Sequence, residues 1–486
     1  MFRKHWIVWM AALIAAAATG DAHAETPPPA TIAPLPSPRQ LAWHKLDFYA
    51  FVHFNINTFT DLEWGHGTEN AQAFNPTALD CRQWCRIFKK AGMKAVIITA
   101  KHHDGFCLWP SKYTDHDVES SPWKNGRGDV IRELADACAE YGLKLGIYIS
   151  PWDRNHPLYG RDDAAYNDYF ANQLRELLTN YGPIFEVWWD GANGDRNNPE
   201  KYQEYDWPRF IRIVRELQPN AVIFSGNGDI RWIGNERGHA GATQWCMFRF
   251  DKLAVDHTGD YHRFLETGME NGDRWYPGEV DVSIRPGWYY HSEEDDKVKS
   301  VQKLMDIYYE SVGRNTNLLL NIPVDRRGLV HENDAAALLA MGRMIQKTFA
   351  EDLARGKPAT ADNTRGHDAA YATDHVTDGN PATYWATDDD VLAASVTIDF
   401  GGPVRFNRVR IEEPIALGQR VKSFTLEGRV AGQWRTIAQG TTLGDQRILR
   451  TPAIQADRLR LNITDARACP AIQRIGVFAA PEHPAG

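Results

Sequence analysis

The residues best placed to do chemistry in this chain are acids and histidines that follow short apolar runs. Val187-Trp188-Trp189-Asp190 is an apolar stretch of strand type that ends in a carboxylate, with Gly191 after it. Such an acid is held by a rigid element yet reaches into open space, as at the strand ends where parallel barrels and doubly wound sheets collect their active groups. The two tryptophans offer a flat apolar wall on which a sugar ring can stack. Taken alone, Asp190 reads first as a helix cap or turn residue. It is not alone. His53-Phe54-Asn55, Lys101-His102-His103-Asp104 and the set Tyr148, Ser150 and Trp152 each close another apolar run. Asn227, Asp229, Arg231, Trp232 and Glu236 follow a further one, and Glu279 and Arg285 bracket another. Several polar groups converging on one barrel mouth make a binding or catalytic site.

Two chemistries would use this set. In metal-assisted hydrolysis His53, His102, His103 and Asp190 would be ligands. A barrel of that kind wants a His-x-His pair on its first strand and more histidines on the fifth and sixth, where this chain has Gly226, Asn227 and Gln244. The other is glycoside hydrolysis by two carboxylates, one an ionised nucleophile and one a protonated acid about 5 to 5.5 Å away in a retaining enzyme. Asp190 suits the nucleophile, with the histidines donating to sugar hydroxyls and keeping its charge. The acid belongs on a neighbouring loop in a less polar setting. Glu236 is the preferred candidate, with Glu279 in competition; Glu279 precedes its strand and lies at the wrong end unless the register slips. A barrel that binds sugar without turnover is a further reading.

Eight strand candidates must position these residues: Phe48–Phe54, Ala95–Thr99, Leu145–Ile149, Phe185–Trp189, Ala221–Phe224, Thr243–Met247, Val280–Ile284 and Asn317–Asn321. Helical periodicity between them, over Leu79–Ala91, Val130–Tyr141, Tyr166–Tyr181, Phe210–Leu217 and Val298–Val312, predicts a (β/α)8 TIM-like barrel over residues 40–350. The sixth strand is the weakest, because the stretch from Asp251 to Gly278 shows no clear helix. After a last helix, Asp334–Phe349, alternation takes over, as in Ser395-Val396-Thr397-Ile398-Asp399-Phe400 and Arg458-Leu459-Arg460-Leu461, and predicts an all-β sandwich over residues 357–480.

Arg3 and Lys4, an apolar stretch from Trp6 to Thr19 and the small-residue pattern Ala22-His23-Ala24 read as a secretory signal over residues 1–24. The mature protein is expected to be soluble, with no membrane span, in the periplasm or outside the cell, after a Pro-rich leader over 25–39 that acts as a tether. A net charge of -9 argues against nucleic acid as a partner. The six cysteines show no paired CxxC spacing, so a zinc ribbon is not expected; disulfides are allowed in that compartment, and spacing does not choose among their pairings. Neither composition nor spacing fixes an oligomeric state.

With these residues assembled, the chain resembles glycoside hydrolase family 29, the retaining α-L-fucosidases. The segments that carry the likeness are Phe51-Val52-His53-Phe54-Asn55, Glu63-Trp64-Gly65, Lys101-His102-His103-Asp104-Gly105-Phe106, Gly146-Ile147-Tyr148, Trp188-Trp189-Asp190-Gly191 and Asn317-Leu318-Leu319-Leu320-Asn321. The sandwich resembles the discoidin-like (F5/8 type C) domain that many members carry. The resemblance implies that Asp190 is the nucleophile and that His53, Glu63, Trp64, His102, His103, Tyr148 and Trp188 hold fucose, with Arg231 a further sugar-site residue. It implies Glu236 as acid/base, from a context like that of the subgroup preferring α-1,3 and α-1,4 bonds, and a fucosylated glycan as substrate; no catalytic metal or other cofactor is expected, and calcium in the sandwich is left open. Trp64, Trp188 and Phe54 would then line the apolar edge made by the sugar's C6 methyl. Trp385 and Trp434 are either sugar-binding or core residues of the sandwich.

Overall fold

The computed structural model describes residues 26–194, 202–225, 227–250 and 259–481, the side chains of 259–262 excepted. The expected signal segment lies outside the described residues. The first unit alternates strands and helices: α1 (Pro38–His44), β1 (Phe48–Val52), α2 (Ile56–Thr60), α3 (Cys81–Ala91), β2 (Ala95–Lys101), α4 (Val130–Tyr141), β3 (Lys144–Ile149), α5 (Asp163–Asn180), β4 (Ile184–Trp188), α6 (Trp207–Leu217), β5 (Val222–Phe224), β6 (Arg231–Trp232), β7 (Met247–Phe248), α7 (Gly259–Thr267), β8 (Arg274–Trp275), β9 (Gly278–Ser283), α8 (Val301–Glu310), β10 (Asn317–Asn321) and α9 (Glu332–Thr348).

Eight of these strands pair in parallel in the order β5-β4-β3-β2-β1-β10-β9-β6, and a parallel bridge from Phe224 to Ile230 brings the two ends together. This is the expected (β/α)8 barrel. Period-2 alternation sorts its side chains: Ala50, Val52, Val96, Ile98, Val187, Val280 and Val282 pack outward against the helices, whereas Tyr49, Phe51, Ile97, Tyr148, Trp188 and Leu319 fill the lumen. Strict alternation in β9 therefore turns Glu279, Asp281 and Ser283 inward.

The sixth strand is not where periodicity placed it. Arg231 and Trp232 pair with Gly278 and Glu279, and the expected Thr243–Met247 contributes only Met247, to an antiparallel pair between β7 and β8. Two residues leave no periodic signal. The turn that brings β6 beside β5 holds Ser225 and Asn227 at φ 66° and 63°, and a Cβ on Gly228 would meet the Ile223 carbonyl oxygen at 2.4 Å. A left-handed turn and a bare backbone thus replace the crossover helix that parallel neighbours ordinarily need. The connection that follows does contain a helix, α7.

The second unit is built on two long bent strands. It comprises β11 (Ala359–Ala361), β12 (Trp385–Ala386), β13 (Ala394–Glu412), β14 (Val421–Val430), β15 (Gln433–Gly440), β16 (Arg447–Ala466), β17 (Ala471–Ile472) and β18 (Arg474–Phe478). The main sheet runs β11-β13-β16-β14-β15, with β18 paired to β13, and β12 pairs with β17. Trp385 is a core residue, fully buried with its Nε1 donating to the Asn363 carbonyl at 3.0 Å. Trp434 has Arg460 over its ring at 4.2 Å. All six cysteines are buried and free. Among the described residues no helix is long and apolar enough to cross a membrane.

The Pro-rich leader is not a free tether. Proline-rich chain leaves its carbonyls without internal partners, and arginines of the C-terminal unit take them. Arg365 donates to the carbonyls of Pro27 at 2.7 Å and Pro28 at 3.4 Å, Arg420 to that of Ala30, and Arg467 to that of Ala33 at 3.1 Å. Arg365 and Arg420 are buried, so losing an acceptor costs about 1 to 3 kcal/mol per group. Deleting residues 26–33 is expected to lower the thermal midpoint of the full chain, read by calorimetry; an unchanged midpoint would show that the leader only rests on the surface.

Candidate active site

At the C-terminal ends of the barrel strands, Phe51, His53, Glu63, Trp64, His102, His103, Tyr148, Trp188, Asp190, Glu236, Asp281 and Trp288 line one pocket of about 330 Å³. Nine of the ten residues expected at the site are there; Arg231 is not. A larger groove of about 560 Å³ lies at the opposite end, among Trp43, Leu143, Tyr181 and Phe185, and gathers no comparable set of histidines and acids.

Asp190 stands two residues beyond Trp188, and its carboxylate is fixed from both sides. The Tyr148 hydroxyl donates to Oδ2 at 3.0 Å and the Ala192 N–H to Oδ1 at 2.7 Å, while His103 Nε2 lies 3.8 Å from Oδ2. Its side chain is 26% exposed, open toward the pocket. Beneath it runs a ladder of rings from four successive strands. His102 stacks on Tyr148 with centroids 5.6 Å apart, Tyr148 on Trp188 at 5.1 Å, and Trp188 on Phe224 at 4.2 Å. The tryptophan pair is therefore not an open wall. Trp188 has a ring on each face, and Trp189 points outward onto Trp207 because neighbours on a strand face opposite ways. The same alternation takes Phe54 out of the site, into the core with Phe74 and Trp84, and brings Phe51 in. The accessible indoles are Trp64, 55% exposed at the rim, and half-buried Trp288.

The three histidines are held neutral. Burial pushes His53 down to about 4, pushes His102 far down with help from the two neighbouring rings, and pushes His103 down against the pull of Asp190. His53 Nδ1 meets Asn321 Oδ1 at 2.8 Å and His103 Nδ1 meets Ser150 Oγ at 2.7 Å. Each therefore has its other nitrogen available to the pocket. His102 Nδ1 is buried with no protein partner.

The Lys-His-His-Asp-Gly-Phe run is explained by what holds this loop. Lys101 Nζ, wholly buried, binds Asp153 at 3.0 Å and Gln173 at 2.9 Å. Burial alone would raise the Asp153 carboxyl, but the Lys101 ammonium, the His156 N–H and the Tyr169 hydroxyl together outweigh it and keep Asp153 below its ordinary value. Asp104 accepts from Asn55 and from the Phe106 N–H, each at 2.8 Å, tying the ends of β1 and β2 together. Gly105 has φ 83°, and a Cβ there would meet Asp153 Oδ1 at 2.4 Å.

Across the pocket, Glu63 accepts the N–H groups of Trp288 at 2.9 Å and Tyr289 at 3.0 Å, and so fixes the loop that carries Trp288. Asn321 helps by donating to the Trp288 carbonyl at 2.8 Å. Trp288 Nε1 in turn reaches Glu236 Oε2 at 3.3 Å. Burial raises the Glu236 carboxyl above its ordinary value; the Trp288 bond opposes this, and the charges of Asp190 and Glu63 add to it. Asp281, also in the pocket, accepts from Trp232 Nε1 at 2.9 Å and is raised strongly by burial and by Glu236.

Glu279 is below the floor. Its Oε1 accepts from Trp188 Nε1 at 3.0 Å and its Oε2 from the Tyr49 hydroxyl, in a closed cluster with Glu186. The Trp188 ring stands between it and the pocket. Arg231 points the other way, to the carbonyls of Leu265 and Tyr276 and to Gln244 Oε1, because the inward position of short β6 belongs to its neighbour Trp232. Phe51 and Asp281 were within reach of sequence reasoning, two residues from His53 and from Glu279 on alternating strands. Trp288 lies on a loop without periodicity and gave no such signal.

Comparison with known proteins bears on the family to which this barrel belongs. The family model for alpha-L-fucosidase matches residues 40–348, and that for the F5/8 type C domain matches residues 358–475. Alpha-L-fucosidase 1 of Arabidopsis thaliana is 44% identical over 457 residues, spanning 93% of this chain and 89% of that protein. Human plasma alpha-L-fucosidase is 32% identical over 292 residues, 56% of this chain and 55% of its own. The structure of a Ruminococcus gnavus GH29 fucosidase in complex with fucose superposes with a TM-score of 0.86 at 33% identity, covering 96% of this chain and 98% of that one. The chain belongs to the alpha-L-fucosidase family of glycoside hydrolases and carries an F5/8 type C domain after its catalytic barrel.

Proposed function

We propose that this alpha-L-fucosidase is an exo-acting, retaining enzyme with Asp190 as nucleophile and Glu236 as acid/base. The observation that carries the reading is the contrast between two carboxyls in one pocket. Asp190 accepts the Tyr148 hydroxyl and the Ala192 N–H at the open end of the site, and Glu236 is raised by burial and by the charge of Asp190. Asp190 would attack the anomeric carbon as Glu236 gives its proton to the departing glycosidic oxygen. A water deprotonated by Glu236 would then displace Asp190 and release fucose with its configuration retained. The neutral imidazoles of His53, His102 and His103 would serve the ring hydroxyls, and Trp64, Phe51 and Trp288 the apolar edge at C6. A cavity of about 330 Å³ is at the small end of ligand pockets, roughly 300 to 1,000 Å³, which favours one terminal sugar over a chain.

The preference for α-1,3 and α-1,4 bonds on branched glycans rests on the sequence context of Glu236. Export to the periplasm or beyond rests on Arg3, Lys4 and the apolar segment before Ala22-His23-Ala24. The metal-dependent alternative gains no support from side-chain placement: among the described residues no group of three or more His, Cys, Asp or Glu is arranged to hold an ion. Chelator treatment is expected to leave activity unchanged.

Asp190→Ala is expected to lower turnover of an aryl fucoside by several orders of magnitude, and azide should restore it with a fucosyl azide of inverted anomeric configuration. Azide rescue of Glu236→Ala should give the retained configuration; rescue at Glu279→Ala instead would move the acid/base to Glu279. Tyr148→Phe removes one donor to the Asp190 carboxylate and should lower kcat/KM about 10- to 100-fold, the worth of a hydrogen bond to a charged group. Because Glu236 must hold its proton for the first step, kcat/KM should fall as pH rises through its raised pKa, and Glu236→Gln should abolish that alkaline limb. Hydrolysis rates over α-1,2, α-1,3, α-1,4 and α-1,6 fucosyl oligosaccharides test the linkage preference directly.

A further inference from the structure

Arg231 is a buried cation with no carboxylate partner among the described residues. Its guanidinium is satisfied by the carbonyls of Leu265 and Tyr276 and by the side-chain oxygen of Gln244, and it opens the segment that leads to Glu236. Gln244 is itself wholly buried and holds that segment twice. Its Oε1 takes Arg231, and its Nε2 donates to the Glu266 carbonyl at 2.7 Å. The Glu266 carboxylate then accepts from Asn235 Nδ2 at 3.1 Å, one residue before Glu236, and from Arg237 at 3.5 Å, one residue after it.

What holds Gln244 comes from the other domain. The Thr442 hydroxyl accepts the Gln244 N–H at 2.7 Å. The Gln419 side chain donates to the Gln244 carbonyl and accepts the Cys246 N–H, both at 2.8 Å, and so pairs with this stretch as a strand would. Gln419 and Thr442 are wholly buried, so neither can exchange these bonds for water. Asn315 of the barrel adds a longer donor to the same carbonyl, at 3.3 Å.

We propose that the C-terminal domain sets the position of the acid/base: Gln419 and Thr442 fix Gln244, and Gln244 fixes the segment carrying Glu236 at both ends. Gln419, Thr442, Gln244 and Arg231 are on this account positioning residues, none of which lines the pocket. The inference rests on Glu236 being the acid/base. It gives the F5/8 type C domain a part in turnover that is separate from any sugar binding of its own.

The test uses the leaving-group dependence of kcat/KM, which reports the first chemical step. Removing a general acid slows departure of a sugar but hardly affects a dinitrophenolate, which leaves without a proton. Gln419→Met keeps the side chain's length and removes both polar contacts; Thr442→Val removes only the hydroxyl. In the full-length enzyme, Gln419→Met should lower kcat/KM on a fucosyl oligosaccharide by about 10- to 100-fold while changing that on dinitrophenyl fucoside within about twofold. Thr442→Val should show the same selectivity in smaller measure, and decides the question alone where Gln419→Met fails to fold. Equal losses on both substrates, or no loss on either, would overturn the proposal. Glu236→Ala on the same pair is the separate check: if it shows no leaving-group selectivity, the acid/base assignment fails and not the coupling between domains.

Discussion

Everything at the mouth of this barrel depends on where one indole is held. Trp188 is the inward residue at the end of β4. Glu279 accepts its Nε1 from below, Tyr148 covers one face and Phe224 the other. A ring so enclosed cannot change rotamer without displacing two neighbours, since interiors are packed as tightly as organic crystals. Asp190 follows two residues later, and the Tyr148 hydroxyl that holds it comes from the ring stacked on Trp188. The acid's position is thus an extension of core packing.

The cost of the arrangement lies in how many polar groups it buries. Glu186, Glu279, Asp281 and three histidines are taken out of water around one lumen, where an isolated charge is expensive. The structure answers by keeping most of these groups neutral. Burial drives the histidines down and the acids Glu236, Glu279 and Asp281 up. Asp190 stands apart from them at the open end, where its carboxylate accepts from the Tyr148 hydroxyl and the Ala192 N–H. On the proposed mechanism, differences in environment among chemically similar carboxyls separate the two tasks that glycoside hydrolysis requires.

The same economy extends between the domains. Arg231 carries a charge that no acid among the described residues balances, and the barrel meets it with an amide, Gln244, whose backbone is tied by Thr442 and Gln419 of the neighbouring unit. The leader is bound on similar terms, its carbonyls serving as acceptors for Arg365, Arg420 and Arg467. A segment whose composition resembles a linker becomes part of the structure because guanidinium groups of the C-terminal unit bind those oxygens.

How much of this could be read from the chain follows from the range of each interaction. Local periodicity determined seven of the eight barrel strands, the helices between them and the antiparallel unit behind. Strand ends carried His53, His102, His103, Tyr148 and Asp190 into one list, because a residue's place on an alternating strand settles which way it faces. Sequence alone did not determine β6, two residues long and reached through a left-handed turn, nor that Arg231 turns away while Asp281 and Trp288 turn in. Those outcomes depend on partners far away in the chain: Gln244, Leu265 and Tyr276 for Arg231, Glu63 and Asn321 for the Trp288 loop. Which acid can share the pocket with Asp190 was likewise a tertiary decision, because the Trp188 ring closes over Glu279 while Glu236 lines the pocket. Residue type and period act over a few positions and are written in the sequence; burial and pairing exist only once distant segments meet.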